Sequence, residues 1–376
     1  MTGESKRSGR IEPIFTTSAV QLYDYIARQH WDGKAIAGPD PIGKIHWRMT
    51  RFVRSYFPWL PGDDLYVYLQ GQAYWMQGNL ILFEMTQEGR YLDVARQCAD
   101  GIVACQPSNG AWLHPPIRGR RGFISTVEGV WASLGLLEVY KEMGEQAYLD
   151  SALKWYRFQV DAIGFQEVAD GLAANYYTHS SNLVPNVTTM LIWLTAELYH
   201  VTGDDQYLEY TDRMVRFVEC SQLDSGELPY SLGERTHFMC YQYNAFQFMD
   251  LASYYELTGD ETVHRVLVKM ASYLSTGVTE RGSSRYNCFK EMPEVNYWTA
   301  ALAAALRQAY DLELGNYLSL SERAYRYLLT RQRTDGGFDF SRGNYVLLRD
   351  MRSYPRYLAM ILCHLLYRAK LGPNPR

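Results

Sequence analysis

Gly89-Arg90-Tyr91-Leu92-Asp93-Val94-Ala95, Gln146-Ala147-Tyr148-Leu149-Asp150-Ser151-Ala152 and Asp205-Gln206-Tyr207-Leu208-Glu209 are copies of one pattern. Each opens an amphipathic stretch, and the tyrosines lie 57 and 59 positions apart (148 − 91 and 207 − 148). Weaker copies stand at Thr262-Val263-His264 and Asn316-Tyr317-Leu318. Self-similarity at a fixed period of this length marks an array of helix pairs, because one pair cannot bury its own apolar face and must stack on the next.

Within each copy a long apolar stretch comes first, such as Met190-Leu191-Ile192-Trp193-Leu194 running on to Tyr199. A Thr-Gly-Asp turn follows at 202–204 and again at 258–260, with glycine suited to a helix C-terminus and Asp to the next N-cap. The second stretch is apolar on one face only, as in Tyr207, Met214, Val215 and Val218. Apolar surface all round suits an inner ring, and one wet face suits an outer ring.

The spacing predicts inner helices near 66–86, 125–143, 184–202, 240–258, 295–312 and 352–369. Outer helices are predicted near 91–104, 147–160, 207–221, 262–275 and 318–331. The sixth outer partner is the segment 17–29, with Ala19, Val20, Leu22, Tyr23 and Ile26 on one side. The expected fold is therefore all-α, an (α/α)6 toroid of six inner and six outer helices, closed by the N-terminal helix against the last inner one. An open solenoid would want a polar end cap, and Met360, Ile361, Leu362, Leu365 and Leu366 are too apolar for one. Residues 1–376 read as a single toroid domain, with 30–62 (Pro39, Pro41, Pro58, Pro61) as an excursion over one face and 42–57 as an extra helix there. Gln106-Pro107-Ser108-Asn109-Gly110, Gln222-Leu223-Asp224-Ser225-Gly226 and Gln332-Arg333-Thr334-Asp335-Gly336 are repeated turns, expected to be scaffold.

A formal charge of −4 leaves no basic footprint for nucleic acid. No apolar run reaches the length of a membrane span, and residues 1–7 lack the apolar stretch of a signal peptide. A cytoplasmic protein without membrane insertion is expected. The six cysteines lie mostly in apolar context and are expected to be buried free thiols of a reducing compartment, so the Asn186-Val187-Thr188 sequon carries no glycan. The unusual number is 31 tyrosines. Many, such as Tyr91, Tyr148 and Tyr207, read as core with a hydroxyl reaching a partner. Others cluster just before the inner helices, where a toroid presents one open mouth.

The residues leading into the inner helices form a polar and aromatic set. It includes Tyr68 and Gln70, Glu128 and Trp131, and Tyr176, His179, Asn182 and Asn186. Later helices add Arg235, Tyr241, Tyr243 and Asn244, then Arg285, Glu294 and Tyr297, then Arg352 and Arg356. Sugar rings offer C–H faces to aromatics and hydroxyl edges to Asn, Arg and Glu, and arginines suit acidic sugars. Structural readings compete: Ser125-x-x-Glu128 is a capping box, Glu294 follows Pro293 at a helix start, and Arg352 and Arg356 are placed to pair with acids. His237-x-x-Cys240 lacks two further ligands, so no metal is expected, and no cofactor.

Gly226-Glu227-Leu228-Pro229-Tyr230-Ser231-Leu232, with Asn244-Ala245-Phe246-Gln247-Phe248-Met249 after it, resembles the closing region of D-glucuronyl C5-epimerase catalytic domains. Tyr176-Tyr177-Thr178-His179-Ser180-Ser181-Asn182 resembles them more loosely, and the similarity spans roughly 120–260. It implies proton removal and return at C5 of a uronic acid by tyrosines and a glutamate, with Tyr230 on one of the tyrosines and Tyr176 near another. Asn175 stands at the glutamate's place and Phe238 at the third tyrosine's. The wider resemblance is to (α/α)-toroid enzymes of polysaccharide metabolism, which include epimerases, lyases and unsaturated glucuronyl hydrolases.

The expected activity is metal-independent acid–base chemistry on a uronic-acid-containing sugar chain, as epimerase, lyase or glycoside hydrolase. The partner is an oligo- or polysaccharide. The candidate catalytic residues are Tyr176, His179, Tyr230, Tyr241, Glu128 and Glu294. The candidate substrate-binding residues are Trp131, Asn182, Arg235, Asn244, Arg285, Tyr297 and Arg352. Two other classes compete. A terpenoid cyclase or prenyl-transfer-like enzyme would use an aromatic carbocation cavity, but Asp63-Asp64-Leu65-Tyr66-Val67 fails the diphosphate motif at its fifth place. A non-catalytic glycan-binding toroid would show a mouth without shifted titratable groups.

Overall fold

A computed structural model describes residues 13–41, 53–54, 56–57, 59–60, 65–115, 122–178, 182–233, 240–344 and 348–371. The helices among them are, in chain order, α1 (Pro13–Gln29), α2 (Leu69–Thr86), α3 (Gly89–Ala104), α4 (Thr126–Met143), α5 (Gln146–Phe158) and α6 (Pro185–Thr202). They continue as α7 (Thr211–Ser221), α8 (Tyr241–Thr258), α9 (Glu261–Ser275), α10 (Asn296–Asp311), α11 (Leu318–Leu329) and α12 (Pro355–Leu371). The even-numbered helices touch one another in sequence and α12 returns to α2, so the inner ring is closed. Each odd-numbered helix lies outside: α1 on α12, α3 on α2, α5 on α4, α7 on α6, α9 on α8 and α11 on α10. The fold is the (α/α)6 toroid.

Burial patterns show why the two rings sort. In α10 every residue from Asn296 to Arg307 is buried, as an inner helix packed on several sides requires. In α11 the buried residues are Ser321, Ala324, Tyr325 and Leu328, the i, i+3, i+4, i+7 stripe of a helix with one dry face. No helix among the described residues is long and apolar enough to cross a membrane.

The repeated glutamine turns are joints between outer helices. Gln106 Nε2 donates to Gly110 O at 2.9 Å and to Ser151 O of α5 at 3.0 Å. Gln222 Nε2 donates to Gly226 O at 2.9 Å and to Val266 O of α9 at 3.0 Å. Gln332 Nε2 donates to Gly336 O and to Ser18 O of α1, both at 2.9 Å. The third joint ties the end of α11 to α1 and so fastens the ring. Gly110, Gly226 and Gly336 have φ of +87°, +101° and +91°, and a Cβ on each would come within 2.6, 2.3 and 2.4 Å of a carbonyl oxygen of the next outer helix. Only glycine satisfies both the backbone and the space.

The structure departs from the sequence reading in several places. The third outer helix begins at Thr211 rather than near 207, because Asp204 caps a separate 3₁₀ turn at Asp205–Leu208. Short strands occupy connections that the helical period does not describe: β1 (Phe165–Val168) and β2 (Gly171–Ala174) form a hairpin. β3 (Glu294–Val295), β4 (Ser341–Asn344) and β5 (Leu348–Asp350) form an antiparallel sheet. Cys98, Cys240 and Cys363 are buried free thiols, but Cys105, Cys220 and Cys288 are exposed, since the outer helices and their loops have a wet side. Most of the expected helix at 42–57 lies outside the described residues.

Glu294 of β3 is tied into this sheet. Arg342, directly across on β4, donates through Nε to its Oε2, Tyr327 Oη donates to the same oxygen at 2.6 Å, and Ser283 Oγ donates to Oε1 at 3.3 Å. Burial alone would raise this carboxyl's pKa, but the hydrogen bonds from Arg342 and Tyr327 win and hold it below the ordinary value.

Two stability outcomes are expected. Gly336→Ala puts a side chain where the backbone is left-handed, a strain of about 1–3 kcal/mol before the clash with Gln21. Gln332→Ala leaves two carbonyls without their donor, at about 1–3 kcal/mol. Urea midpoints equal to wild type for both variants would refute the joint's role. Glu294→Gln should also lower stability at neutral pH, by about 1–3 kcal/mol. A carboxyl whose folded pKa is lowered stabilises above its unfolded value, near 4.3, and that contribution is lost as pH falls. The gap between wild type and Glu294→Gln should therefore close on acidification, and a constant gap would mean the charge is not what matters.

Candidate functional site

The inner helices run parallel, and their first turns surround a cavity of about 180 Å³ at one mouth of the ring. One position repeats around it. The second residues of the six helices, Gln70, Val127, Asn186, Gln242, Tyr297 and Arg356, all line the cavity. Side chains of an α-helix rotate by about 100° per residue, so six helices aligned on one axis aim the same position inward. Four of the residues four positions further on, Trp131, Met190, Phe246 and Met360, make the apolar floor.

Arg356 is the cavity's cation. Its Nη2 donates to Asp40 Oδ2 at 2.8 Å and to the Tyr357 hydroxyl. Its guanidinium carbon lies 4.0 Å from the centre of the Tyr68 ring and 4.6 Å from that of Tyr357. The two aromatic faces and the carboxylate hold the fork rigidly, and an arginine so held is pre-organised for an oxyanion. Asp40 lies in the excursion that precedes α2, so that segment contributes to the site by orienting its arginine. Tyr357 also stacks on Tyr297 at 4.1 Å, and burial pushes its hydroxyl pKa up to about 12. The Tyr68 ring meets His114 edge-on at 5.9 Å. His114 Nδ1 lies 2.9 Å from Pro115 O, which can only accept, so Nδ1 carries a proton.

Glu128 is the cavity's carboxylate and is 2% exposed. Half of the expected capping box is present, with Ser125 Oγ accepting from Glu128 N at 3.3 Å. The carboxylate itself caps the neighbouring helix instead, accepting from Leu69 N at 2.5 Å and Gln70 N at 3.4 Å. Burial pushes its pKa up to about 7, against the pull of Arg356 and of those two amides. Also in the lining, Tyr230 and Tyr243 pack ring to ring at 4.9 Å, and the Tyr176 ring lies 4.4 Å from that of Tyr177.

The residues singled out from sequence divide into three groups. Tyr176, Tyr230, Glu128, Trp131 and Tyr297 all line the cavity. Tyr241, Glu294, Asn182, Asn244, Arg285 and Arg352 do not. Tyr241, the first residue of α8, stacks on Tyr273 at 4.8 Å and shares a hydrogen bond with Thr276 Oγ1 at 2.9 Å, and its neighbour Gln242 faces the cavity. Asn244 brackets Leu228, accepting from its N at 2.8 Å and donating to its O at 3.1 Å. Arg285 pairs with Glu291 at 2.9 Å, and Arg352 lies over the Tyr354 ring at 5.6 Å. Asn182 is exposed four residues before Asn186, and Glu294 is held by the sheet. His179 and Arg235 lie outside the described residues. Gln242, Tyr357, His114 and Asp40 carried no signal in the reading above, and the helix-phase rule alone would have picked Gln242 and preferred Arg356 to Arg352. Among the described residues no three His, Cys, Asp or Glu side chains come together as metal ligands.

No protein-family model matches the chain, and no curated protein matches it by sequence. Solved structures do match it over nearly its whole length. A cellobiose 2-epimerase from Bacillus thermoamylovorans is 14% identical with a TM-score of 0.73, covering 95% of this chain and 99% of the epimerase. A possible member of glycoside hydrolase family 105 from Klebsiella pneumoniae is 14% identical with a TM-score of 0.69, covering 98% of this chain and 96% of its own. The family 76 α-mannanase of Bacteroides thetaiotaomicron is 13% identical with a TM-score of 0.70, covering 94% and 95%. At such identities the likeness is one of fold, and the chain shares the (α/α)6 toroid of these carbohydrate-active enzymes.

Proposed function

We propose that the chain is a carbohydrate-active enzyme that takes one uronic-acid unit of an oligo- or polysaccharide into the mouth cavity and moves a proton on it, without a metal. The observation that carries this reading is the pairing, in one cavity, of a rigidly held arginine with a buried carboxylate whose pKa is about 7. The cavity is smaller than the roughly 300 Å³ at which drug-sized sites begin, which suits a single sugar unit. Arg356 and the converging helix N-termini suit the substrate carboxylate. Glu128 is the base at the carbon beside that carboxylate, and a second lining group, Tyr230 or Tyr176, returns a proton. Return to the other face inverts the centre. Loss of the neighbouring glycosidic oxygen instead yields an unsaturated product.

Two further points support the sugar reading. Solved neighbours of this fold include proteins named as an epimerase, a polysaccharide lyase and a mannanase. Glu128 is the one carboxylate lining the cavity among the described residues, which favours proton transfer over hydrolysis by a carboxylate pair.

Uronic-acid oligosaccharides incubated with the protein in deuterated water should exchange at C5, read by NMR, or give an unsaturated uronate. Neither product across a broad panel would replace this reading with a glycan-binding one. Turnover should rise as pH passes through about 7, because the working form of Glu128 is the deprotonated one. Glu128→Gln retains an acceptor for Leu69 N, so the α2 cap and the melting temperature should hold while the rate falls about 10²–10⁴-fold. A variant that melts early but turns over normally would leave Glu128 only its capping role.

A further inference from the structure

The ring is hollow on both sides of its floor. Trp131 and Phe246, which close the mouth cavity from below, also line a chamber of about 440 Å³ among the C-terminal halves of the same inner helices. The proton transfer described above uses nothing in it. Its walls are aromatic: Tyr74, Trp131 and Trp193 join Phe246, with the Tyr74 and Trp131 rings 4.6 Å apart. Its charged groups are all of one sign. Glu138 and Asp250 lie inside, Glu84 and Glu142 stand exposed at the rim, and no lysine or arginine lines it among the described residues. Gln77 Nε2 donates to Glu138 at 2.8 Å and Thr189 Oγ1 to Asp250 at 3.1 Å, but among the described residues neither carboxyl has an ion-pair partner. His364, also in the wall, adds no positive charge, because burial lowers its pKa to about 3.

We propose that this rear chamber is a second ligand site, one that binds a small organic ammonium ion with its cation between Glu138 and Asp250 and its carbon skeleton against the rings. Three features point to a cation. Aromatic faces attract ammonium groups most strongly when water is excluded. The two interior carboxyls form no ion pair among the described residues, and burial raises the pKa of both, with the nearby Lys141, which bonds Glu197 instead, offsetting this only in part at Glu138. The parallel inner helices turn their negative C-terminal ends to this side, as they turn their positive ends to the mouth. A sugar could stack on the same rings, but it would leave both carboxyls without a cation.

The full chain titrated with benzylammonium, benzyl alcohol, benzoate and cellobiose, by calorimetry and by tryptophan fluorescence, tests the proposal. Benzylammonium should bind one to one and at least about tenfold more tightly than benzyl alcohol, with benzoate silent. The near-isosteric pair Glu138→Gln and Asp250→Asn should erase that preference. Ala304→Phe, at a buried wall position, should block the chamber to every probe. Equal binding of alcohol and ammonium, tighter binding of cellobiose, or no binding of benzylammonium and choline to the wild-type chain would each overturn the assignment, whatever the variants do. So would a preference that survives the double substitution.

Discussion

At three alternate joints between the six outer helices one side-chain amide holds two carbonyls, and the ring depends on that arrangement. A helix pair in this fold has no core of its own, so its position is set only by how it leans on the next pair. The glutamine fixes that lean. It donates once to its own turn and once to the next outer helix, while a glycine lets the two backbones meet. Repeated at Gln106, Gln222 and Gln332, at every second joint, the same geometry sets the same rotation there, and equal rotations are what allow a chain of pairs to come back on itself. The hydrophobic contacts between helices supply far more free energy, but they are not directional and would not choose a ring over a superhelix.

Closure then determines the chemistry. Because the inner helices are parallel and share one axis, their positive ends gather at one mouth and their negative ends at the other. The mouth holds an arginine clamped by rings, and the rear holds two interior carboxyls that form no ion pair among the described residues. Glu128 shows how closely structure and site are joined. The carboxylate that tunes the cavity is also the cap of the neighbouring inner helix, so one placement both buries it, which raises its pKa, and sets it against Leu69 N, which pulls that pKa back.

The ring was legible in the sequence because its cause is periodic. The tyrosine spacing, the apolar stretches and the glutamine turns repeat, and each corresponds to an observed helix or joint. The third outer helix starts four residues later than the spacing implies, where a capped 3₁₀ turn intervenes, and the first and last inner helices start three residues later. The strands left no trace because they are short and lie in connections, where pairing partners such as Glu294 and Arg342 are 48 positions apart. The cavity was legible in kind but less so in detail. Tyr241 and Gln242 are adjacent, yet one faces Tyr273 and the other the cavity, so an error of one residue in helix phase exchanges them. Asp40 and His114 reach the site from outside the inner helices, through contacts that no local pattern encodes.

The contact between Asp40 and Arg356 joins residues 316 positions apart, and that between Ser18 and Gln332 joins residues 314 apart. Helix pairs can form and stack as the chain lengthens, since each needs only its neighbour. The cavity cannot, because its cation arrives on the last helix and the acid that orients it on the first excursion. Such sequence-distant pairings carry the largest loop-closure cost and form late. The mouth cavity is therefore completed only when the helix that carries Arg356 docks beside the excursion that carries Asp40, whereas each helix pair needs only its neighbour.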